Sequence, residues 1–109
     1  MAFMKRKNKM IYLTQLIYIK KGEEEIFDEF EAHAIPNILK YNGRLLLRIR
    51  PGENSFIEHS IDKPYEIHIV EFDSVQDFEN FKQDKERLQF LHLKERSVKA
   101  TLLMLGTKV

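Results

Sequence analysis

Apolar and polar positions alternate along four stretches of the chain and recur at helical spacing along two others. Residues 10–19 are rich in Ile, Leu and Tyr and stop at Lys20-Lys21-Gly22, which predicts a first strand. Glu23, Glu24 and Glu25 then place negative charge where a helix N-terminus favours it. Phe27, Phe30, Ala34, Ile38 and Tyr41 follow as one apolar stripe at helical spacing. Asn42-Gly43 ends it, because both residues tolerate the left-handed conformation of a helix stop. Pro36 cannot donate to the Ala32 carbonyl and disfavours helical geometry at Ile35, so a kink is predicted there.

Residues 44–50 alternate and predict a second strand, closed by Pro51-Gly52. The connection from 53 to 63 is longer than a hairpin needs, carries Phe56, Ile57 and Ile61 to bury, and is long enough to cover a pocket. Residues 65–72 predict a third strand after Pro64. Asp73 is the expected cap of the next helix, with Gln76 completing a box-like start. Phe78, Phe81, Leu88 and Leu91 continue a helical stripe, interrupted by the polar run 83–87, where a break is expected. Residues 99–105 predict the last strand, stopped at Gly106.

The order is βαββαβ, which predicts an α+β, ferredoxin-like sandwich: a four-stranded antiparallel sheet with both helices on one face. Simple alternation puts Leu45, Leu47 and Ile49 on one side of the second strand and Arg44, Leu46, Arg48 and Arg50 on the other. In the third strand Tyr65, Ile67 and Ile69 oppose Glu66, His68, Val70 and Phe72. The first and last strands are apolar on both sides: Leu13 and Ile17 against Tyr12, Leu16 and Tyr18, then Leu103 and Leu105 against Leu102 and Met104. Strands buried on both faces need cover on both. Two helices cover one face, so a second copy of the chain is the expected cover of the other.

Composition narrows the function classes. The 109 residues fit one domain, with 10–109 forming it and 1–9 a basic tail containing Lys5, Arg6, Lys7 and Lys9. Met1, Met4 and Met10 are alternative starts. The tail and the apolar run after it do not make a signal peptide, because Thr14 and Gln15 interrupt the run and no small-residue cleavage site follows. The run is too short for a bilayer. Net charge is +1, from 18 basic and 17 acidic residues, without the basic excess of a nucleic-acid binder, although the tail could serve as an arm for an anionic partner. The chain has no cysteine, which excludes disulfides and thiolate chemistry and suits the cytoplasm. No phosphate-binding glycine loop or nucleophile elbow is present. No two of His33, His59, His68 and His92 stand at a metal-ligand spacing, so neither metal nor cofactor is expected.

Several segments carry a resemblance. They are the Pro36 helix with Tyr41-Asn42-Gly43-Arg44, then Leu45-Leu46-Leu47-Arg48, Ile69-Val70-Glu71-Phe72 before Asp73-Ser74, and Leu102-Leu103-Met104-Leu105-Gly106. On these the chain resembles the dimeric α+β barrel superfamily, and within it a small bacterial branch of unknown function. The superfamily's monooxygenases of antibiotic biosynthesis are distantly similar, and muconolactone-type isomerases and haem-handling enzymes are other relatives. The resemblance covers nearly all of the chain from Met10 and implies a dimeric α/β barrel. Ile49-Arg50-Pro51 stands where a glycine pair is common in that branch, so a close backbone approach to a ligand is not carried over.

Candidate chemistry centres on His68. Glu66 lies two positions away on the same strand face, and Arg48 on the neighbouring strand can join them. Read functionally, these supply a base, an acid and an anion-holding cation. Read structurally, they form a hydrogen-bonded polar seam in the dimer interface. His33, before the Pro36 kink, and Gln15, on a face with Leu13 and Ile17, are a candidate pocket-lining pair. The alternative leaves His33 in solvent and Gln15 bonded at an interface. His59 and His92 read as surface residues. Phe27, Phe30, Phe78 and Phe81 read as core. Three functions remain open: a dimer binding a small apolar or aromatic molecule, a cofactor-independent monooxygenase or isomerase using a histidine for proton transfer, and a purely structural homodimer.

Overall fold

A computed structural model describes residues 9–109, so the predicted tail, Lys9 apart, lies outside the described residues. The chain runs through β1 (Ile11–Ile19), α1 (Glu24–Ala34), a 3₁₀ segment (Ile35–Tyr41), β2 (Gly43–Ile49) and a 3₁₀ turn (Glu53–Ser55). It continues through β3 (Glu66–Phe72), α2 (Val75–Lys82), α3 (Lys85–Gln89), α4 (Leu91–Ser97) and β4 (Val98–Gly106). The sheet order is β2-β3-β1-β4, with each neighbouring pair antiparallel.

Alternation along the two central strands decides where the core sits. Ile11, Leu13 and Ile17 of β1 and Val70 and Phe72 of β3 are buried on the face that carries the helices. There Ile38 and Phe78 pack on Leu13, Val70 and Phe72, while Phe30, Ala34 and Leu93 form a second cluster. Phe27, Phe72 and Leu13 lose essentially all exposure, and each such side chain stabilises the fold by roughly 1.5–3 kcal/mol.

Local details depart from the sequence expectations in physically instructive ways. At Pro36 the helix changes type instead of kinking: α1 ends at Ala34 and the chain tightens into 3₁₀ winding with Pro36 in its first turn. Asn42 takes the left-handed conformation (φ 58°), and Gly43 serves a different need. A Cβ on Gly43 would stand 2.5 Å from Phe72 Cε1 and 2.7 Å from Ile38 Cγ2. The cap of α2 is Ser74, not Asp73: its Oγ accepts from the Asp77 backbone N–H at 3.1 Å, and Asp73 instead accepts from Arg44 Nη2 at 2.6 Å. The polar run after Phe81 is a true break, where Asp84 caps α3 by accepting from the Arg87 backbone N–H at 2.9 Å.

The assignment of faces in β2 needs correction. A bulge between Leu45 and Leu47 inserts one residue, so that Leu45 pairs with Val70 but Leu47 pairs with Ile69 and Arg48 with His68. Leu45 therefore shares the helix side with Arg48, while Leu47 and Ile49 lie on the opposite face, against the simple alternation. The 53–63 connection also departs: Ile57 is 96% exposed and Ile61 51%, so neither is buried.

Among the described residues no helix lies on the other sheet face. Leu47, Ile49, Leu102 and Met104 present their apolar side chains there with 39–47% of their surface exposed. Among the described residues no helix is long and apolar enough to cross a membrane.

Candidate functional site

The bulge in β2 sets the site. Across three strands it aligns Gln15 of β1, His68 of β3 and Arg48 of β2 in one row, on the helix side of the sheet. Above this row, Asp28 and Glu31 stand three residues apart on α1 and so share one of its faces. The polar cluster is thus internal to one chain. Its expected place, a seam on the sheet face between subunits, is overturned, because Glu66 and His68 alternate with the outward residues Ile67 and Ile69.

A cavity of about 70 Å³ opens beside the row, between sheet and helices. Leu13, Phe27 and Phe30 give it an apolar wall, and Gln15, Glu31, His68, Arg87 and Lys94 bring polar groups to it. No residue of the 53–63 connection lines it, so that segment is not its cover. Gln15 lines the cavity. His33 does not; it stacks on Phe90 with ring centroids 3.5 Å apart and lies 3.7 Å from Glu86.

Glu66 lies behind His68 with no solvent exposure. Its Oε2 accepts from Arg48 Nε at 2.8 Å and from His68 Nε2, and its Oε1 accepts from Arg50 Nε at 2.7 Å. Arg50 reaches on to Asp28, tying α1 to the sheet. Burial alone raises the pKa of a carboxyl group. Here the hydrogen bonds from His68, Arg48 and Arg50 together outweigh it and bring Glu66 down from 4.5 to about 2.

An ionised carboxylate can only accept, so His68 Nε2 carries a proton and donates it to Glu66. In the neutral imidazole the lone pair is then on Nδ1, and Nδ1 lies 3.5 Å from Glu31 Oε2. Glu31 is 8% exposed. Burial pushes its pKa up, only partly countered by His68 when that ring is protonated and by the Arg48 charge. One imidazole therefore stands between a carboxylate held ionised and a carboxyl group pushed toward its neutral form. The gap to Glu31 is beyond a formed hydrogen bond, but such contacts tighten once a substrate fills a site.

Glu31, Glu66 and His68 also bring one possible ligand atom each within 4.8 Å of one another. A metal cation there would face two guanidinium groups that already occupy both Glu66 oxygens. The donor set fits proton sharing better than metal ligation.

Sequence reading reached Gln15, Arg48, Glu66 and His68 but not Asp28, Glu31, Arg50, Arg87 or Lys94. Glu31 had a signal: it falls inside the apolar stripe, four residues after Phe27 and three before Ala34, where a solvated acid does not belong. Arg87 and Lys94 had none, because their positions depend on how the broken helical region turns.

No protein-family model matches the sequence, and neither does any curated protein. Solved structures do match. A protein of unknown function from Rhodopseudomonas palustris aligns over 99% of this chain and 91% of its own, at 13% identity and a TM-score of 0.80. A dimeric protein of unknown function with a ferredoxin-like fold from Bacteroides fragilis aligns over 91% and 96%, at 10% identity and a TM-score of 0.66. The fold is ferredoxin-like. Other neighbours are described as a DABB family protein with a ferredoxin-like fold and a NIPSNAP family protein of unknown function. A hydroxynitrile lyase from Passiflora edulis aligns over 94% and 95%, at 15% identity and a TM-score of 0.70. At these identities the likeness establishes the fold alone.

Proposed function

We propose that the cavity binds a small organic molecule and that His68 moves a proton to or from it, without metal or redox cofactor. The observation that carries this reading is the buried imidazole between two carboxyl groups of opposite poise. His68 Nδ1 takes a proton from the ligand, and the imidazolium so formed is stabilised by Glu66 through Nε2–H. Glu31, in its neutral form, supplies a proton at a second position. One group takes and the other gives, which is the balance an isomerisation or an elimination requires. Such assistance contributes roughly 10²–10⁴-fold in rate. The hydroxynitrile lyase neighbour supports the reading only to the extent that this fold carries an enzyme of that name.

The reading includes a homodimer closed through the bare sheet face, as in the dimeric α/β barrel arrangement. The half-exposed Leu47, Ile49, Leu102 and Met104 support it, as does the neighbour described as dimeric. A chain without cysteine suits a cytoplasmic setting for this activity.

The test is deuterium wash-in. Butanone and 2-oxobutanoate are incubated with the protein in D₂O, and loss of the proton signal beside the carbonyl is followed by NMR. The wild type is expected to exchange at least one of them faster than buffer, and His68→Gln to lose this while keeping its circular dichroism. Exchange no faster than buffer on either compound, or unchanged exchange in His68→Gln, overturns the reading.

A further inference from the structure

The cavity carries more positive charge than its walls can neutralise. Arg87 Nη1 donates to the Lys82 carbonyl at 3.1 Å, and its guanidinium carbon lies 5.6 Å from the centre of the Phe81 ring. That leaves most of its five N–H groups without a protein acceptor among the described residues. Lys94 Nζ has no hydrogen-bond or ion-pair partner among the described residues. The carboxyl group that shares the cavity wall with these cations is Glu31. Asp84, the other acid that Arg87 senses, is already engaged by the Tyr41 hydroxyl at 2.6 Å and by the Arg87 backbone N–H at 2.9 Å.

We propose that Arg87 and Lys94 form an anion-holding wall and that the cavity's ligand is a short-chain carboxylate. Its acid group lies against the two cations, and its adjacent carbon faces His68. This rests on the reading of the cavity as a substrate site and names the substrate class for it.

Three further observations agree. Burial lowers the pKa of both Arg87 and Lys94, and the Arg87 charge lowers that of Lys94 further, so an arriving anion relieves a repulsion already present. Glu31 is pushed toward its neutral form and so opposes the cations weakly. The space is small. An apolar cavity of about 150 Å³ takes benzene, whereas this one measures about 70 Å³, which favours a ligand of few carbons with its alkyl end against Leu13, Phe27 and Phe30.

Propanoate and propanamide are near-isosteric probes that differ by one charge. Each is titrated into the full-length protein at neutral pH, with the His68 ring and the Leu13 methyl groups followed by NMR. Propanoate is expected to give saturable shifts, and propanamide to bind at least tenfold more weakly. Lys94→Met and Arg87→Met each weaken propanoate at least tenfold and leave propanamide within twofold, and Lys94→Arg restores propanoate binding. Equal binding of the two probes overturns the charge inference while leaving the cavity a ligand site. Failure of both probes to shift any cavity signal removes the substrate-site reading along with it.

Discussion

Replacing Glu66 by Gln removes one charge and almost no volume from a carboxylate that is fully buried. In the native chain its pKa lies at about 2 instead of the ordinary 4.5. At 1.36 kcal/mol per pH unit, the ionised form then carries about 3 kcal/mol of stability at neutral pH. Breaking a buried ion pair costs about 3–5 kcal/mol in general. The lower end applies here because Arg48 and Arg50 keep 32% and 45% of their side-chain surface in water. The sign is fixed by the direction of the shift. A carboxyl depressed in the folded state stabilises fully above its unfolded pKa and loses that contribution as pH falls toward 2. Urea titrations at pH 7 and pH 2.5 measure both effects. With a urea slope of about 1.2 kcal/mol per M, Glu66→Gln shifts the pH 7 midpoint down by about 2–3 M. It also flattens the fall in stability between pH 5 and pH 2.5. A midpoint shift below about 0.5 M, or a wild-type acid slope in the variant, would refute the assignment of Glu66 as the ionised anchor of the cluster.

Glu31→Gln is expected to act in the opposite direction. A folded-state pKa raised above the ordinary 4.5 costs stability progressively as pH rises from the unfolded pKa through the folded one, so the variant gains stability at pH 7–8 and matches the wild type below pH 4, as calorimetric scans at both pH values will show. Deleting Leu46 removes the extra residue yet keeps Leu45 opposite Val70, Leu47 opposite Ile69 and Arg48 opposite His68, so Arg48 and Arg50 stay on the helix side with Glu66; the deletion is expected to keep the wild-type fall in stability between pH 5 and pH 2.5 in urea titrations. Gly43→Ala forces a methyl group into the Phe72 ring and the Ile38 side chain and should cost about 1–3 kcal/mol, lowering the thermal midpoint without altering the pH dependence of stability.

Much of the fold was legible because its causes are local. The strand alternation, the left-handed stop at Asn42 and the apolar stripe of α1 each follow from neighbouring residues, and so do the order of elements and the bare second face. The bulge was not legible. Arg44 to Arg50 alternates without a glycine to mark an extra residue, and the register slip is set by pairing with β3, not by β2 itself. That one residue decides which face Arg48 takes. The sequence therefore pointed to Arg48, Glu66 and His68 as a group, yet the side of the sheet they occupy depended on contacts between strands. Arg87 and Lys94 lay further out of reach, because the breaks after Phe81 and at Phe90 aim α3 and α4, and the first is held across the fold by the Tyr41–Asp84 hydrogen bond.

The two carboxyl groups flanking His68 differ in what they do for the fold. Glu66 is fully compensated: every oxygen has a cationic or imidazole partner, and its ionisation adds stability. Glu31 is buried nearly as deeply, yet its nearest partner is His68 Nδ1 at 3.5 Å, and the cost of its burial is not recovered. Glu31 lines the cavity, and a glutamine there would remove the desolvation cost of its charged form. An acid whose pKa is raised by burial beside an imidazole is an arrangement suited to proton transfer. The asymmetry between Glu31 and Glu66 is what the proposed proton transfer draws on. The stability gained by Glu31→Gln measures what the fold gives up to keep that acid in place.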